Sequence, residues 1–246
     1  MYKRDIYTVL SNEPLTPAVY RMVLEGDTQY ITRSGQVIYI ELEGKFLRRP
    51  ISVSDYDEKT ITIIYKVVGS GTEQMREMAA GTKLDILTGL GNGFNTENEA
   101  KAPLLVGGGV GVPPLYNLCK RLLSEGKKPS VILGFNTRDE IFYEEEFKAL
   151  GVEVYCSTAD GSYGTKGFVT DVIREKALQF DYLYTCGPLP MLKALYDATE
   201  TDGEFSFEER MGCGFGACVG CTCKTKYGNK RICKEGPVLK REEIIW

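Results

Sequence analysis

The 246-residue sequence contains no histidine. Histidine is the commonest general acid or base near neutral pH and the commonest metal ligand. Its absence excludes a Ser-His-Asp or Cys-His hydrolase, a histidine-ligated zinc site and a Rieske iron–sulfur centre. We therefore expect the chemistry to come from cofactors, and we assign no side chain a catalytic role.

The sequence also lacks long apolar runs and basic patches. Its apolar stretches, such as 103–106, are too short to cross a bilayer, and the N-terminus leads into no signal-peptide-like run. The 30 lysines and arginines are interspersed with 34 aspartates and glutamates. These features predict a cytoplasmic protein that binds neither membrane nor nucleic acid.

Cysteine, in contrast, is plentiful, with eight residues in the chain. In a reducing compartment, clustered cysteines more often hold metal or carry out redox chemistry than form disulfides. Cys213, Cys218 and Cys221 form a C-x4-C-x2-C arrangement, and Cys233 follows. This is the plant-type [2Fe–2S] spacing, although a zinc site is an alternative and Cys223 could replace Cys221.

Glycines are dense around these cysteines. We expect Gly212, Gly214, Gly216 and Gly220 to let the backbone take positive φ and bring its N–H groups close to the sulfurs.

The order of predicted elements divides the chain into three domains. Residues 1–98 show short β-branched or alternating runs around a single helix, which predicts a closed antiparallel β-barrel. Residues 99–203 alternate strand and helix, which predicts a parallel sheet with helices on both faces. Residues 204–246 form a small cysteine domain. The fold class is therefore all-β followed by α/β. The predicted barrel strands cover 6–10, 18–24, 36–42, 51–54, 60–68 and 83–87, with a helix over 73–80.

Two loops follow strands of the predicted parallel sheet. Gly107, Gly108, Gly109 and Gly111 lie between a strand and a helix that begins near Pro114. Backbone N–H groups at such a turn can bind a pyrophosphate, although many glycine turns are only tight connections. Cys186-Gly187-Pro188 follows a later strand of this sheet, and it too could be an ordinary turn.

Two segments of the predicted barrel could bind a diphosphate. Arg49-Pro50-Ile51-Ser52 lies on a strand, and Gly71-Thr72 precedes the predicted helix. An arginine fork and a helix N-terminus suit phosphate groups, but Arg48 and Arg49 could equally be surface charges.

Taken in order along the whole chain, these motifs carry a family resemblance. To them are added Asp160-Gly161-Ser162-Tyr163-Gly164 and Glu209-Arg210-Met211-Gly212-Cys213-Gly214. The chain resembles the ferredoxin-reductase superfamily and, within it, the electron-transfer subunits of NAD-dependent (class 1B) dihydroorotate dehydrogenases. Ile51 departs from many members of the superfamily, which have an aromatic residue there to stack on the flavin.

The resemblance implies FAD and a [2Fe–2S] cluster as cofactors and NAD as a substrate. It implies that FAD is bound by Arg49, Pro50, Ile51, Ser52, Ile64, Tyr65, Lys66, Gly71 and Thr72. It implies that NAD is bound by Gly107, Gly108, Gly109, Gly111, Cys186, Gly187 and Pro188. The cluster ligands would be Cys213, Cys218, Cys221 and Cys233.

The resemblance also implies a partner and a pathway. The chain would pass electrons between NAD and an FMN-containing catalytic subunit that oxidises dihydroorotate to orotate in pyrimidine biosynthesis, in a heterotetramer of two copies of each. An alternative is the small subunit of an NADH-dependent ferredoxin:NADP reductase or of a sulfide dehydrogenase. An alternative of another class is a non-enzymatic zinc-binding module.

The choice between NAD and NADP depends on the loop after the second strand of the parallel sheet. This loop contains Arg138, which could pair with a 2′-phosphate, and Asp139 and Glu140, which would repel one. The balance of charge and the resemblance favour NAD, although all three could be solvated surface charges.

Overall fold

The computed structural model describes residues 2–246 and begins with a closed six-stranded antiparallel barrel. Its strands lie in the order β1-β2-β5-β4-β3-β6. The elements are β1 (Lys3–Pro14), β2 (Val19–Glu25), β3 (Val37–Ile40), β4 (Arg49–Tyr56), β5 (Thr60–Lys66), α1 (Ser70–Arg76) and β6 (Lys83–Leu90). Alternate residues of each strand face opposite sides, so Ile38 and Ile40 of β3 enter the barrel core whereas Val37 and Tyr39 face outward. The predicted barrel is confirmed.

Helix α1 begins and ends earlier than the predicted 73–80. The Thr72 hydroxyl accepts the Val68 N–H at 2.9 Å and donates to the Gly69 carbonyl at 3.0 Å, which starts the helix at Ser70. The Asn12 amide of β1 donates to the carbonyls of Met75 and Arg76 at 2.8 and 3.2 Å. These carbonyls are among the last of the helix, where intrahelical donors run out, and that of Met75 also accepts the Met78 N–H at 3.1 Å. A contact from a distant strand therefore helps to end the helix, and no local sequence signal reveals it.

The second sheet is parallel apart from its last strand. Its order is β10-β9-β8-β7-β11-β12-β15, and β15 is antiparallel to β12. The remaining elements are β7 (Leu104–Gly108), α2 (Pro113–Ser124), β8 (Ser130–Phe135), α3 (Glu144–Ala149), β9 (Glu153–Thr158), β10 (Thr165–Lys166), α4 (Val169–Glu175), β11 (Leu183–Cys186), α5 (Leu189–Ala198), β12 (Gly203–Ser206), β13 (Thr222–Thr225), β14 (Gly228–Arg231) and β15 (Val238–Lys240). Helix α2 buries Leu115, Leu118, Cys119 and Leu122, one face of a helical repeat, against this sheet. The predicted parallel α/β sheet is confirmed.

The C-terminal segment is hydrogen-bonded to the parallel sheet and to the residues that follow the barrel. Strand β15 adds an edge to the parallel sheet, where Phe205 of β12 pairs with Leu239. Asn92, just after the barrel, donates its amide to the Glu235 and Val238 carbonyls at 3.1 and 2.7 Å and accepts the Val238 N–H at 3.1 Å. The cysteine loop at 213–221 and the β13–β14 hairpin lie in the chain between β12 and these attachments.

Within residues 2–246, no helix is long and apolar enough to span a bilayer.

Candidate functional site

One cavity, of about 1150 Å³, lies between the barrel and the parallel sheet. The carboxyl ends of parallel strands meet at this edge, which is where open α/β sheets bind ligands. The cavity is lined by most of the residues predicted to bind FAD or NAD: Arg49, Pro50, Ile51, Ser52, Ile64, Tyr65, Lys66, Thr72, Gly108, Gly109, Gly111, Cys186, Gly187 and Pro188. The two predicted sets, far apart in the sequence, therefore share one space.

Gly71 and Gly107 are not among the residues that line the cavity. Gly71 lies directly beneath the Arg49 guanidinium, and a methyl group there would overlap it. Arg49 is thus placed against the first turn of α1, and its Nη1 donates to the Leu47 carbonyl. Gly107 lies against the start of α2, where a methyl group would come within 2.8 Å of the Val112 Cα. Its function is close packing of strand and helix.

The glycine turn after β7 leaves room for a ligand to approach the protein backbone. Gly109 has a φ of +52°, in the left-handed region that favours glycine, and nothing lies within 4 Å of where its Cβ would be. A methyl group on Gly111 would collide with the Cys186 carbonyl, so the two predicted loops touch. Burial raises the pKa of the Cys186 thiol to about 12, which keeps it neutral at the cavity wall.

The loop after β8 presents its acids, not its arginine, to the cavity. Asp139 and Glu140 line the cavity with Asn136, whose side-chain amide donates to Glu140 at 2.8 Å. Glu140 also approaches Lys66 of the barrel at 3.8 Å. Arg138 instead lies over the Tyr163 ring, 5.7 Å from its centroid.

Two other cavity residues were not among those predicted to bind a cofactor. Ser157 is the next-to-last residue of β9 and is buried at the cavity wall, and within the described chain its hydroxyl has no hydrogen-bond partner. Its position at a strand end was the one signal that could have identified it. Met211 also lines the cavity, two residues before the first cysteine of the loop. Nothing in the local sequence indicates this, because the contact arises when the cysteine loop folds back.

The four predicted cluster cysteines come together as two pairs. The thiols of Cys213 and Cys218 are neighbours, as are those of Cys221 and Cys233. All four lie around Tyr39, whose pKa is raised by burial and by these thiols. Each iron of a [2Fe–2S] cluster takes two of the four thiolates, so two adjacent pairs suit this group. Across residues 2–246, no three histidine, cysteine, aspartate or glutamate side chains are grouped as ligands of one metal ion.

Backbone N–H groups already point at the sulfurs. Ala217 and Cys218 donate to the Cys213 Sγ at 3.2 and 3.5 Å, and Cys233 donates to the Cys221 Sγ at 3.4 Å. Burial opposes ionisation of Cys213, but the N–H groups of Cys218, Phe215 and Ala217, together with the Cys218 thiol, lower its pKa to about 6. Burial and the adjacent Cys221 raise the pKa of Cys233 to about 12. Thiolates are the form that binds iron, and N–H donors of this kind stabilise them.

The glycines of the loop act differently from one another. Gly214 and Gly216 take positive φ, at +86° and +84°, as expected. Gly212 and Gly220 do not, and that expectation was wrong at both positions. A methyl group there would lie 3.5 and 3.7 Å from the Cys218 Sγ, which is ordinary contact distance. Val219 takes a positive φ of +51° instead.

Cys223 lies on β13, outside the two pairs. Its Sγ is 3.7 Å from the Lys224 carbonyl, and burial raises its pKa.

Two family models match the chain over the regions that hold these sites. One is described as the iron–sulfur cluster binding domain of dihydroorotate dehydrogenase B and matches residues 208–245. The other is an oxidoreductase NAD-binding domain and matches residues 105–197.

Curated relatives match over nearly the full length. The electron transfer subunit of dihydroorotate dehydrogenase B (NAD+) from Fusobacterium nucleatum is 47% identical, covering 96% of each chain. The protein of the same name from Bacillus velezensis is 44% identical, covering 98% of this chain and 99% of its own.

Solved structures of reductases also match the fold of the chain. The NADH-dependent reduced ferredoxin-NADP oxidoreductase, studied for flavin-based electron bifurcation, superposes with a TM-score of 0.89 at 28% identity, covering 98% of this chain and 90% of that one. A ferredoxin NADP+ reductase from Neisseria gonorrhoeae, with a TM-score of 0.70 at 18% identity, shares the fold.

The barrel, the parallel sheet and the cysteine loop define an oxidoreductase electron-transfer subunit of the ferredoxin-reductase type. The chain belongs to the family of electron-transfer subunits of dihydroorotate dehydrogenase B. The predicted family, fold class and cofactor set of FAD, a [2Fe–2S] cluster and NAD are confirmed. The family is that of a subunit, so a catalytic partner subunit is implied. The iron–sulfur family model favours a cluster over the zinc alternative.

Proposed function

We propose that the chain passes electrons between NAD and a catalytic partner subunit, by way of FAD in the cavity and a [2Fe–2S] cluster in the cysteine loop. The carrying observation is that one cavity adjoins both predicted nucleotide sets and, through Met211, the cysteine loop. FAD supplies the required chemistry, because it exchanges a hydride with NAD and single electrons with an iron–sulfur cluster. The residues of the chain would bind and orient the cofactors and exclude water from them.

The FAD site would be formed by the barrel. Arg49 and the first turn of α1, with Gly71 and Thr72, would hold the diphosphate, because a guanidinium and backbone N–H groups favour anionic oxygens. The segment Arg49–Ser52 and the segment 64–66 line the wall along which the flavin ring would lie. Tyr65 contributes backbone there, since its ring is in the barrel core and its hydroxyl donates to Asn12 at 2.9 Å.

The NAD site would be formed by the parallel sheet. The glycine turn at 107–111 and the segment 186–188 would frame the cofactor. The acids in the loop after β8 support NAD over NADP, because a 2′-phosphate would meet Asp139 and Glu140 in the cavity while Arg138 lies over Tyr163.

The cluster would be bound by Cys213, Cys218, Cys221 and Cys233. Cys221 and Cys233 are buried and face Tyr39, whereas Cys218 is exposed. Beside Cys218 lie the exposed Val219 and Phe215, and Phe215 stacks on Tyr2 with ring centroids 5.7 Å apart. This apolar surface, next to the outward pair of ligands, is where the partner would dock.

The partner would be an FMN-containing dihydroorotate dehydrogenase catalytic subunit, in a heterotetramer with two copies of each chain. The three domains would cover residues 1–98, 99–203 and 204–246, and the protein would be located in the cytoplasm.

A second candidate function is that of a subunit of an NADH-dependent ferredoxin:NADP reductase or sulfide dehydrogenase. The TM-score of 0.89 with the NADH-dependent reduced ferredoxin-NADP oxidoreductase supports it.

The test is anaerobic purification with and without co-expressed catalytic subunit. We expect one FAD and one [2Fe–2S] cluster per chain, reduction of both by NADH, and a complex that reduces NAD when given dihydroorotate. FMN in place of FAD, or an iron-free protein that retains zinc, would contradict the proposal. A loaded chain that couples only to ferredoxin would favour the second candidate.

A further inference from the structure

Tyr39 belongs to a barrel strand but not to the barrel core. Its neighbours Ile38 and Ile40 face into the barrel, whereas Tyr39 packs in the core shared with Cys221 and Cys233. Only 1% of the residue is exposed. Tyr39 is therefore a side chain of the barrel that packs against the cysteine loop.

The cysteine loop is shaped around the Tyr39 ring. Gly214, directly after Cys213, has a φ of +86°, and a methyl group there would lie only 3.0 Å from the Tyr39 Cε1. Any side chain at position 214 would thus force the ring or the loop to shift by a few tenths of an ångström. The ring and the loop are in direct contact on this side.

The Tyr39 hydroxyl contacts a residue of the cavity wall. It donates to the Met211 Sδ at 3.1 Å. Met211 lines the cavity together with Pro50 and Ser52, and Tyr39 pairs with Pro50 across the β3–β4 ladder. One hydrogen bond therefore joins a side chain at the cavity wall to a side chain packed against the cysteines.

We propose that Tyr39 and Met211 form the packed bridge between the cavity and the cysteine loop, and that the Tyr39 hydroxyl positions Met211 for electron transfer across it. This inference rests on the proposed function. Each passage moves one electron from flavin to cluster, or back, and makes or breaks no bond at Tyr39 or Met211. Both are positioning residues, because they keep the gap short, filled and free of water.

The test compares Tyr39→Phe, which keeps the ring and loses the hydroxyl, with Tyr7→Phe as a matched control. Tyr7 is also a fully buried barrel tyrosine with a bonded hydroxyl, but its partner is the Asp27 carbonyl. A third variant, Tyr39→Leu, removes the ring. Three properties are measured before the rates of electron transfer. They are the FAD and iron content, the electron paramagnetic resonance spectrum of the reduced cluster, and the rate of cluster loss to a chelator.

In anaerobic stopped-flow experiments, we expect Tyr39→Phe to leave NADH reduction of FAD unchanged and to slow the following cluster reduction about tenfold, in the range for outer-shell partners of metal sites. We expect Tyr39→Leu to alter the resonance spectrum and to speed loss of iron to the chelator by about tenfold. Tyr7→Phe should match the wild type in all of these.

Equal cluster-reduction rates in wild type and a fully loaded Tyr39→Phe would overturn the inference alone. A wild-type chain that binds no FAD or no iron would overturn the proposed function, and the inference with it. The two failures are distinguished by cofactor content.

Discussion

The four proposed cluster cysteines are unequal in their surroundings. Cys221 and Cys233 are almost fully buried, Cys213 is half-buried, and Cys218 is exposed. The buried pair faces Tyr39 and the barrel, and the outward pair lies next to the apolar surface at Phe215. Electrons leaving the protein would thus depart from the side that solvent and partner can reach.

Replacing any of the four cysteines by serine should prevent normal [2Fe–2S] assembly. The hydroxyl is a harder and poorer ligand for the cluster iron than a thiolate. Iron and sulfide content after anaerobic reconstitution is the measurement. Cys223→Ser is the matched control and should retain a full cluster. Iron that survives Cys221→Ser and disappears in Cys223→Ser would show that the ligand assignment is wrong.

Arg49→Ala should weaken FAD binding. Loss of a charge-assisted contact with the diphosphate costs about 1.5–3 kcal/mol, which corresponds to roughly ten- to a hundredfold in affinity. Titration of the deflavinated chain with FAD measures the change. Lys59→Ala, in the exposed turn between β4 and β5, removes the same charge away from the cavity and should have no effect. Equal dissociation constants for Arg49→Ala and wild type would exclude Arg49 from the FAD site.

At the scale of elements, the loop after β8 should decide the cofactor preference. We expect a higher kcat/KM for flavin reduction with NADH than with NADPH, because Asp139 and Glu140 line the cavity. Removing both charges with Asp139→Asn and Glu140→Gln should lower this preference by about fivefold or more, since the two acids together repel the 2′-phosphate by about 1 kcal/mol or more at partly screened distances. Glu145→Gln, with its side chain 81% exposed on α3, is the control. A wild-type preference for NADPH would reverse the assignment.

The longer elements were predictable from the sequence because they carry strong periodic signals. Most strands of the barrel begin and end within a few residues of the predicted bounds, as β2 and β5 do. The exceptions have physical causes. Helix α1 is displaced because Thr72 begins it and Asn12 caps its end. Strands β10 and β13–β15 hold two to four residues each, too few to show a period.

The candidate site was predictable where spacing or backbone freedom carries the chemistry. The cysteine spacing predicted the four thiols that come together, and the glycine turn predicted the wall formed by the parallel sheet. The barrel wall followed from the family resemblance. Ser157, Tyr39 and Met211 were not predicted, because their positions depend on how distant segments pack. A tyrosine on a barrel strand has the same sequence pattern whether it faces the core or a neighbouring domain.

At the scale of the whole molecule, Glu204 should make stability depend on pH. It lies on β12, is 3% exposed, and accepts the Asn95 N–H at 2.8 Å. Burial raises its pKa to about 7, opposed by this N–H and by Lys240 and Arg33, while Glu243 adds repulsion. An unfolded glutamate titrates near 4.3. Its contribution to stability is therefore complete below about pH 4 and is lost as pH rises through 7, by up to about 3 kcal/mol.

Glu204→Gln should remove this dependence, because the amide is neutral throughout and its oxygen can still accept the Asn95 N–H. The thermal midpoint of the loaded protein, measured at pH 5 and pH 8, should fall less in the variant than in wild type. Glu97→Gln, at an exposed position of the linker, should behave as wild type. An identical fall in wild type and Glu204→Gln would show that Glu204 titrates as an ordinary surface acid.

The attachment of the cysteine region at both ends bears on the kinetics of the whole enzyme. Strand β15 is hydrogen-bonded to β12, and Asn92 joins the segment 235–238 to the end of the barrel. A redox module on a flexible tether must diffuse to its contact point before each transfer, so its turnover slows in viscous solvent and changes with tether length. Here the cysteine region is held in position by these hydrogen bonds. Internal electron transfer should consequently proceed at a rate that added sucrose or glycerol leaves unchanged.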